Sequence, residues 1–323
     1  MNFIQTDYRG LAHAGQEGLP LRLNGGVVAI GNFDGVHLGH QALLKRERQL
    51  ANENNMRLLA LTFAPHPRRF FQPDLPPFLL SDSILRRDYL EQAGVDAVVE
   101  LTFDGVLART SAEDFIKHIL VDAMQAKHIV VGENFLFGAN RSGDVKLLRE
   151  LGVKYDFEVT ALPLMKDIDG KRLSSEQVRA AIRNGHMATA EQLLGRPWLT
   201  RGEVIRGDQR GREWGFPTAN MVLQEFLTPK YGVYSARVKI EPEGEWYKAV
   251  MNFGIRPNFV LPFPLLEIHV LDFADDLYGK TLRVEWRDFM RPEKRFASTD
   301  LLKKQIVEDV KRARELLSVS VSS

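Results

Sequence analysis

Two histidines three residues apart, His37 and His40, close the run Gly31-Asn32-Phe33-Asp34-Gly35-Val36-His37-Leu38-Gly39-His40. That spacing puts both rings on one side of the first turn of a helix, where protonated imidazoles stabilise charge on a phosphate chain. A helix N-terminus carries unpaired N–H groups and a partial positive charge, and Gly31, Gly35 and Gly39 leave room for an anion to approach. Zinc is the rival ligand for such a pair. It needs three or four protein donors, and no second His or Cys cluster lies near in the sequence. A second set of reactive types falls late in the chain. Thr218 and Asn220, two apart, turn their oxygens to the same side of extended backbone and offer Mg²⁺ neutral donors, leaving its remaining positions to water and nucleotide phosphate; by itself the run Pro217-Thr218-Ala219-Asn220 reads equally as a turn. Glu267 and His269 share one face of a later strand, which sets a carboxylate and an imidazole inside or at the rim of whatever that strand closes.

These residues need elements to hold them. The run Val27-Val28-Ala29-Ile30 reads as a buried strand feeding a helix that starts near Gly39 and continues into Gln49. Over 27–163, apolar runs at 27–33, 57–63, 97–101, 129–132 and 158–162 alternate with helical stretches. Ser81 is read as one helix cap, Ser111 as another, and a third helix follows Gly143. Strand and helix in repetition predict an α/β unit with a mostly parallel sheet that binds ligands at the carboxyl ends of its strands. Three more strand ends carry polar or aromatic clusters: His66 and Arg68 in a Pro-rich loop, Asn134 and Phe135 among glycines, and Ser174-Ser175-Glu176 opening a helix. In that helix Arg179 falls one turn in, as a triphosphate clamp. Solvated charges on a rigid loop, core aromatics and an ordinary capped helix are the alternative readings of these three.

A short helical element at 185–198 separates this unit, 1–184, from a strand-rich unit, 199–323. Strands expected at 203–206, 232–240, 246–252, 265–273 and 281–288 suggest a small antiparallel barrel or sandwich, followed by an amphipathic helix over 299–317 and a disordered Ser-rich end, 318–323. The run from Gly207 to Asn220, with Gly211, Arg212 and Gly215, is a loop able to wrap phosphates, and its spacing is neither that of a Walker A motif nor that of a kinase Gly-rich loop.

Composition narrows the classes. Forty-three Lys and Arg against 42 Asp and Glu leave a net charge of +1, which argues against a nucleic-acid surface. Without cysteine there is no disulfide, Fe–S or thiol chemistry. No signal-peptide core occupies the first twenty residues and no run approaches 18 apolar residues, so a cytoplasmic protein without a membrane partner, monomeric or weakly self-associating, is expected.

The longer form Gly-Asn-Phe-Asp-Gly-Val-His-Leu-Gly-His resembles the signature of the N-terminal module of the bacterial bifunctional riboflavin kinase and FAD synthetase family. The Pro65-His66-Pro67 loop, the Gly132 to Gly138 loop and the Ser174-Ser175 helix start follow in the family's order. Phe216-Pro217-Thr218-Ala219-Asn220, Asn252-Phe253-Gly254-Ile255-Arg256-Pro257, Glu267 and Arg291-Pro292-Glu293 are similar to its riboflavin kinase module. The resemblance implies a Rossmann-like nucleotidyltransferase domain followed by an antiparallel β-barrel kinase domain with a C-terminal helix. It further implies ATP and Mg²⁺ as co-substrate and cofactor, and FMN and FAD as products. Gly31, Phe33, Asp34, Gly39, Ser174, Ser175, Gly211, Arg212, Gly215 and Thr218 would then serve ATP and its phosphates, and His66, Asn134, Phe135, Arg256 and Arg291 the flavin. Mg²⁺ would sit on Thr218 and Asn220. Glu267 would be the general base of the kinase, and His37, His40 and Arg179 the stabilisers of adenylyl transfer. The departures are Asn134 for Asp, Leu136 for Arg and Glu176 for Thr in the first module, and Trp214 for Leu, Phe253 for Ile and Asn258 for Thr in the second; Glu176 is expected to point away from a bound triphosphate. Two other classes compete: a class I aminoacyl-tRNA synthetase, which wants a basic tRNA surface, and a flavin sensor whose barrel binds without catalysis.

Overall fold

The computed structural model describes residues 1–13, 25–163, 165, 170, 172–207, 211, 214–242, 244–255 and 264–319. They form two compact units. The first comprises Met1–Leu75 and Arg86–Ser174, the second Pro76–Leu85 and Ser175–Ser323.

In the first unit β1 (Asn2–Thr6) and α1 (Tyr8–His13) precede β2 (Val27–Ile30) and α2 (Leu38–Glu53). Then come β3 (Leu58–Ala64), α3 (Pro67–Phe71), α4 (Ser83–Gln92), which begins in the second unit, β4 (Ala97–Thr102) and α5 (Gly105–Arg109). α6 (Ala112–Asp114) runs on as a wider π-helical segment (Phe115–Ala123) before β5 (His128–Gly132), α7 (Val145–Tyr155) and β6 (Glu158–Leu162). All six strands are parallel, in the order β1-β4-β3-β2-β5-β6. Every residue of β2 is buried, as a central strand covered on both faces requires. The caps follow short polar side chains. Asp144 accepts from Leu147 N at 2.9 Å and Ser111 from Asp114 N at 3.0 Å, while α4 is capped by Asp82, on Leu85 N at 2.7 Å, rather than by Ser81. The first strand stops at Ile30, short of the expected 33, and β1 and α1 are additional to the elements expected from the sequence.

The second unit opens with α8 (Ser175–Arg183) and α9 (Met187–Leu194). β7 (Trp198–Ile205), β8 (Ala219–Val222), β9 (Gly232–Ile240), β10 (Trp246–Gly254), β11 (Leu265–Val270) and β12 (Thr281–Arg291) close an antiparallel barrel in the order β10-β11-β8-β7-β12-β9. Trp198, Tyr234, Phe253 and Trp286 are fully buried at its centre. Trp286 donates its indole N–H to Thr200 Oγ1 at 2.9 Å and Trp198 donates to Leu80 O at 2.9 Å, so both buried rings keep their polar atom bonded. Leu80 belongs to Pro76–Leu85, which is tied to the barrel unit by Leu79 N to Glu225 O at 3.1 Å and Leu227 N to Leu79 O at 2.8 Å. The last helix, α10 (Thr299–Val319), extends through Ser318, which was expected in a disordered end; 320–323 lie outside the described residues.

Candidate functional sites

From β2 the chain moves to β3 and β4 on one side and returns to β5 and β6 on the other, so the order reverses between β2 and β5. Sheets of this kind bind ligands outside the carboxyl ends of the strands at such a reversal. The loop 31–37 leaves β2 at that point. It is pinned by Gly31 N to Leu61 O at 3.1 Å, Thr62 Oγ1 to Asn32 O at 3.3 Å and Gln41 Nε2 to Val36 O at 2.8 Å. Phe33, Gly35 and Val36 have φ of 48°, 77° and 37°. For a β-branched residue such as Val36 this backbone is unfavourable by about 1–3 kcal/mol, and it persists only where its surroundings impose it.

The strained loop delivers His37 to the N-cap of α2, 6 % exposed, with its ring stacked on His40 at 3.8 Å between centroids and 20° between planes. The Phe33 ring meets His40 edge-on at 5.4 Å. A Cβ at Gly39 would lie 3.0 Å from His37 Cε1 and 3.1 Å from Nδ1. Gly39 therefore makes room for the His37 ring, and Gly31, whose Cβ would stand 3.2 Å from the Phe33 ring, makes room for that phenyl. These two spaces, expected from the sequence to admit phosphate, are taken up by the protein's own rings. Asp34 is buried within the same loop at 2 % exposure. Two imidazoles this close repel when both are charged, so an anion beside them is what favours the charged pair.

Beyond β3, His66 caps α3 by accepting from Arg68 N at 3.1 Å through Nδ1. Phe70 and Phe71, 37 % and 63 % exposed, pack on Phe103 at 5.4 and 5.6 Å, and Phe63 meets Phe103 at 6.0 Å. This aromatic surface, absent from the sequence-derived site, collects residues from beyond β3 and β4. Only the adjacent Phe70-Phe71 pair hinted at it. Beyond β5, Asn134 is exposed with its Oδ1 lying over Gly132, and Phe135 stacks on the buried Phe137 at 5.3 Å and packs against the core. Leu136 is 50 % exposed.

In the second unit the register Asn252↔Glu267↔Asn220 sets three polar side chains in a row across β10, β11 and β8. Their neighbours Met251, Ile268 and Ala219 are buried beside Phe253, Leu266 and Met221, so alternation puts the polar row on the outer face of the barrel. This corrects the expectation that Glu267 sits inside or at the rim. Asn220 and Glu267 are only 6 % and 8 % exposed. A Cβ at Gly207 would fall 2.1 Å from Asn220 Nδ2, and one at Gly211 would fall 3.3 Å from Thr218 Oγ1. His269, two residues from Glu267, bonds Pro217 O at 2.8 Å and meets the Phe216 ring edge-on at 5.6 Å, holding Thr218 beside the row. Thr218 and Asn220 thus present two hard neutral oxygen donors next to a carboxylate on a confined surface, which fits Mg²⁺ with its other positions open to water and phosphate.

The residues 20–177 match the family model for FAD synthetase, and 194–317 match that for riboflavin kinase. A bifunctional riboflavin kinase/FMN adenylyltransferase of Escherichia coli (strain K12) is 39 % identical over 96 % of both chains. One of Pseudomonas fluorescens is 42 % identical over 92 % of this chain and 94 % of its own. The chain belongs to the bifunctional riboflavin kinase/FMN adenylyltransferase family. A crystal structure described as a macrolide-efflux protein from Streptococcus pneumoniae shares the fold, with a TM-score of 0.82 and 31 % identity over 97 % of this chain and 99 % of that one. Among the described residues no helix is long and apolar enough to cross a membrane.

Ser174 closes the first unit and Ser175 opens α8 in the second. Arg179, 7 % exposed, donates from Nε to Phe78 O at 2.9 Å and from an Nη to Glu176 at 3.1 Å, and Glu176 also takes Arg183 at 3.0 Å. Glu176 therefore points at two guanidinium groups; despite the cost of partial burial, their hydrogen bonds hold its carboxyl below the usual range. Arg291 makes a two-point pair with Asp309 of α10, at 2.9 and 2.7 Å, and its guanidinium lies 6.0 Å from the Phe296 ring. Gly215 is exposed with φ 84°. Arg212, Arg256 and Asn258 lie outside the described residues.

Proposed function

We propose that this chain makes FMN from riboflavin in its second unit and FAD from FMN in its first. One observation carries the reading: each unit holds its own set of buried or half-buried polar groups suited to a nucleotide, the stacked His37–His40 pair at the sheet reversal and the Asn252–Glu267–Asn220 row on the barrel. The names of relatives that cover nearly the whole chain support it.

In the kinase unit Glu267 takes the proton from the ribityl 5′-hydroxyl as that oxygen attacks the γ-phosphorus of ATP, and ADP leaves. Thr218 and Asn220 would hold Mg²⁺, which when bound neutralises developing charge on the phosphates. Gly207 and Gly211 lie against the Asn220 and Thr218 side chains and leave no space for a side chain of their own there. In the first unit a phosphate oxygen of FMN attacks the α-phosphorus of a second ATP and pyrophosphate leaves. His37 and His40 stabilise charge there and form no covalent bond, because such transfers need positioning and charge neutralisation above all. The half-exposed phenyl rings of Phe70 and Phe71 give the planar flavin a surface to stack on. The reactions belong in the cytoplasm, where ATP and Mg²⁺ are supplied.

The test is incubation of the purified chain with riboflavin, ATP and Mg²⁺ and chromatography of the flavins. FMN followed by FAD is expected. Riboflavin-dependent binding without ADP release would instead favour a flavin sensor, and amino-acid-dependent pyrophosphate exchange a synthetase.

A further inference from the structure

One carboxylate near the kinase row has no role in the mechanism above. Glu293 follows β12 and folds back over the outer face of β10. A Cβ at Gly254 would meet Glu293 Oε1 at 1.9 Å and Oε2 at 2.9 Å, so the carboxylate fills the space left by the missing side chain. It also accepts a hydrogen bond from the side chain of Asn252 and lies close enough to Glu267 and to the Tyr231 hydroxyl for its charge to act on both. Asn252 is the cross-strand partner of Glu267, which puts their Cβ atoms about 5 Å apart on one face. An asparagine amide has two N–H donors, and fixing one of them fixes the plane of the group that faces Glu267.

We propose that Glu293 is a positioning residue for phosphoryl transfer: seated on Gly254, it holds the Asn252 amide, and the held amide aims the Glu267 carboxylate at the substrate hydroxyl. The inference rests on Glu267 being the kinase base. Its physical content is that a carboxylate on a short side chain beside an unrestrained amide samples more than one direction, whereas one beside a clamped amide keeps the direction the reaction needs. Burial raises the Glu293 carboxyl most, the Asn252 bond opposes it, and the Glu267 charge adds the smallest upward push.

The experiment measures riboflavin phosphorylation by the full-length protein in Glu293→Ala, Glu293→Gln, Asn252→Ala and the Glu293→Ala/Asn252→Ala double variant, with conversion of supplied FMN to FAD as the control for folding. Glu293→Ala is expected to lower kcat about tenfold or more, the scale of a misaimed catalytic group, with KM for ATP changed by less than about twofold. Glu293→Gln should restore most of kcat, because its amide oxygen accepts the same Asn252 N–H. The double variant should be no slower than Asn252→Ala alone, since both act through one contact. Wild-type kcat in Glu293→Ala, a Gln variant as slow as Ala, or losses that multiply in the double variant would each overturn the inference. Glu267→Gln is measured alongside: if it still forms FMN, the base assignment fails first. If it does not, while Glu293→Ala is unimpaired, only the positioning role falls.

Discussion

At the scale of single residues, several groups are kept where ordinary folding would not put them. Gly39 carries the clearest consequence, because any side chain there meets the His37 ring within 3.1 Å. Gly39→Ala is expected to lower FMN adenylylation about 10- to 100-fold by displacing His37, with riboflavin phosphorylation unchanged; steady-state assays of the two half-reactions check it. Glu47 is the opposite case, a group in the wrong place for its charge. It lies on the buried face of α2 at 1 % exposure, and neither oxygen has a hydrogen-bond partner among the described residues. Burial pushes its carboxyl well above the usual 4.5. The folded protein thus holds a proton that the unfolded chain releases, so this group's contribution to stability is fully present below about pH 4.5 and is lost as pH rises through its raised folded value. Glu47→Met, of similar shape, should raise stability at pH 8 by about 1–3 kcal/mol and make little difference at pH 4.5, as read from urea midpoints at the two pH values. The histidine pair, Thr218, Asn220 and Glu267 were legible in the sequence because their types and spacing are restrictive. Glu47, the phenyl cluster around Phe103 and the seat of Glu293 against Gly254 and Asn252 were not, because each is defined by what distant segments bring to it.

At the scale of elements, legibility followed periodicity. β9 begins and ends where alternation put it, and the four predicted strands of the parallel sheet after β2 fall within a residue of their observed ends. β1, a five-residue edge strand of mixed polarity, and β8, only four residues long, carry too little pattern to announce themselves. Alternation along β11 grouped Glu267 with His269 correctly, yet it left undecided which face looks inward. The cross-strand partners decide that, and they come from β8 and β10. The last helix shows how an element is fastened by charge as well as by its apolar stripe. Arg291 grips Asp309 at two points, and Arg314 grips Asp272 at 2.7 Å twice. Asp309 is nearly buried while Asp272 is open to solvent, so the first pair carries the weight. Asp309→Ala should cost about 1.5–3 kcal/mol, measured as a lower urea midpoint, whereas Asp272→Ala should change the midpoint by little.

At the scale of the whole molecule, the chain is two machines in series on one substrate, each with a core of its own: a parallel sheet in one unit, an aromatic-filled barrel in the other. The excursion of Pro76–Leu85 into the second unit is the one large feature that no local pattern signals, since its ties to Glu225, Leu227 and Trp198 are all remote in sequence. Because the proposed chemistries use different residues on different units, damage to one should leave the other intact. The direct measurement is a pair of single substitutions assayed in both half-reactions. Glu267→Gln should abolish FMN formation from riboflavin yet convert supplied FMN to FAD at the wild-type rate, and His40→Ala should do the reverse. If either folded variant lost both activities, or neither, the assignment of one reaction to each unit would be contradicted.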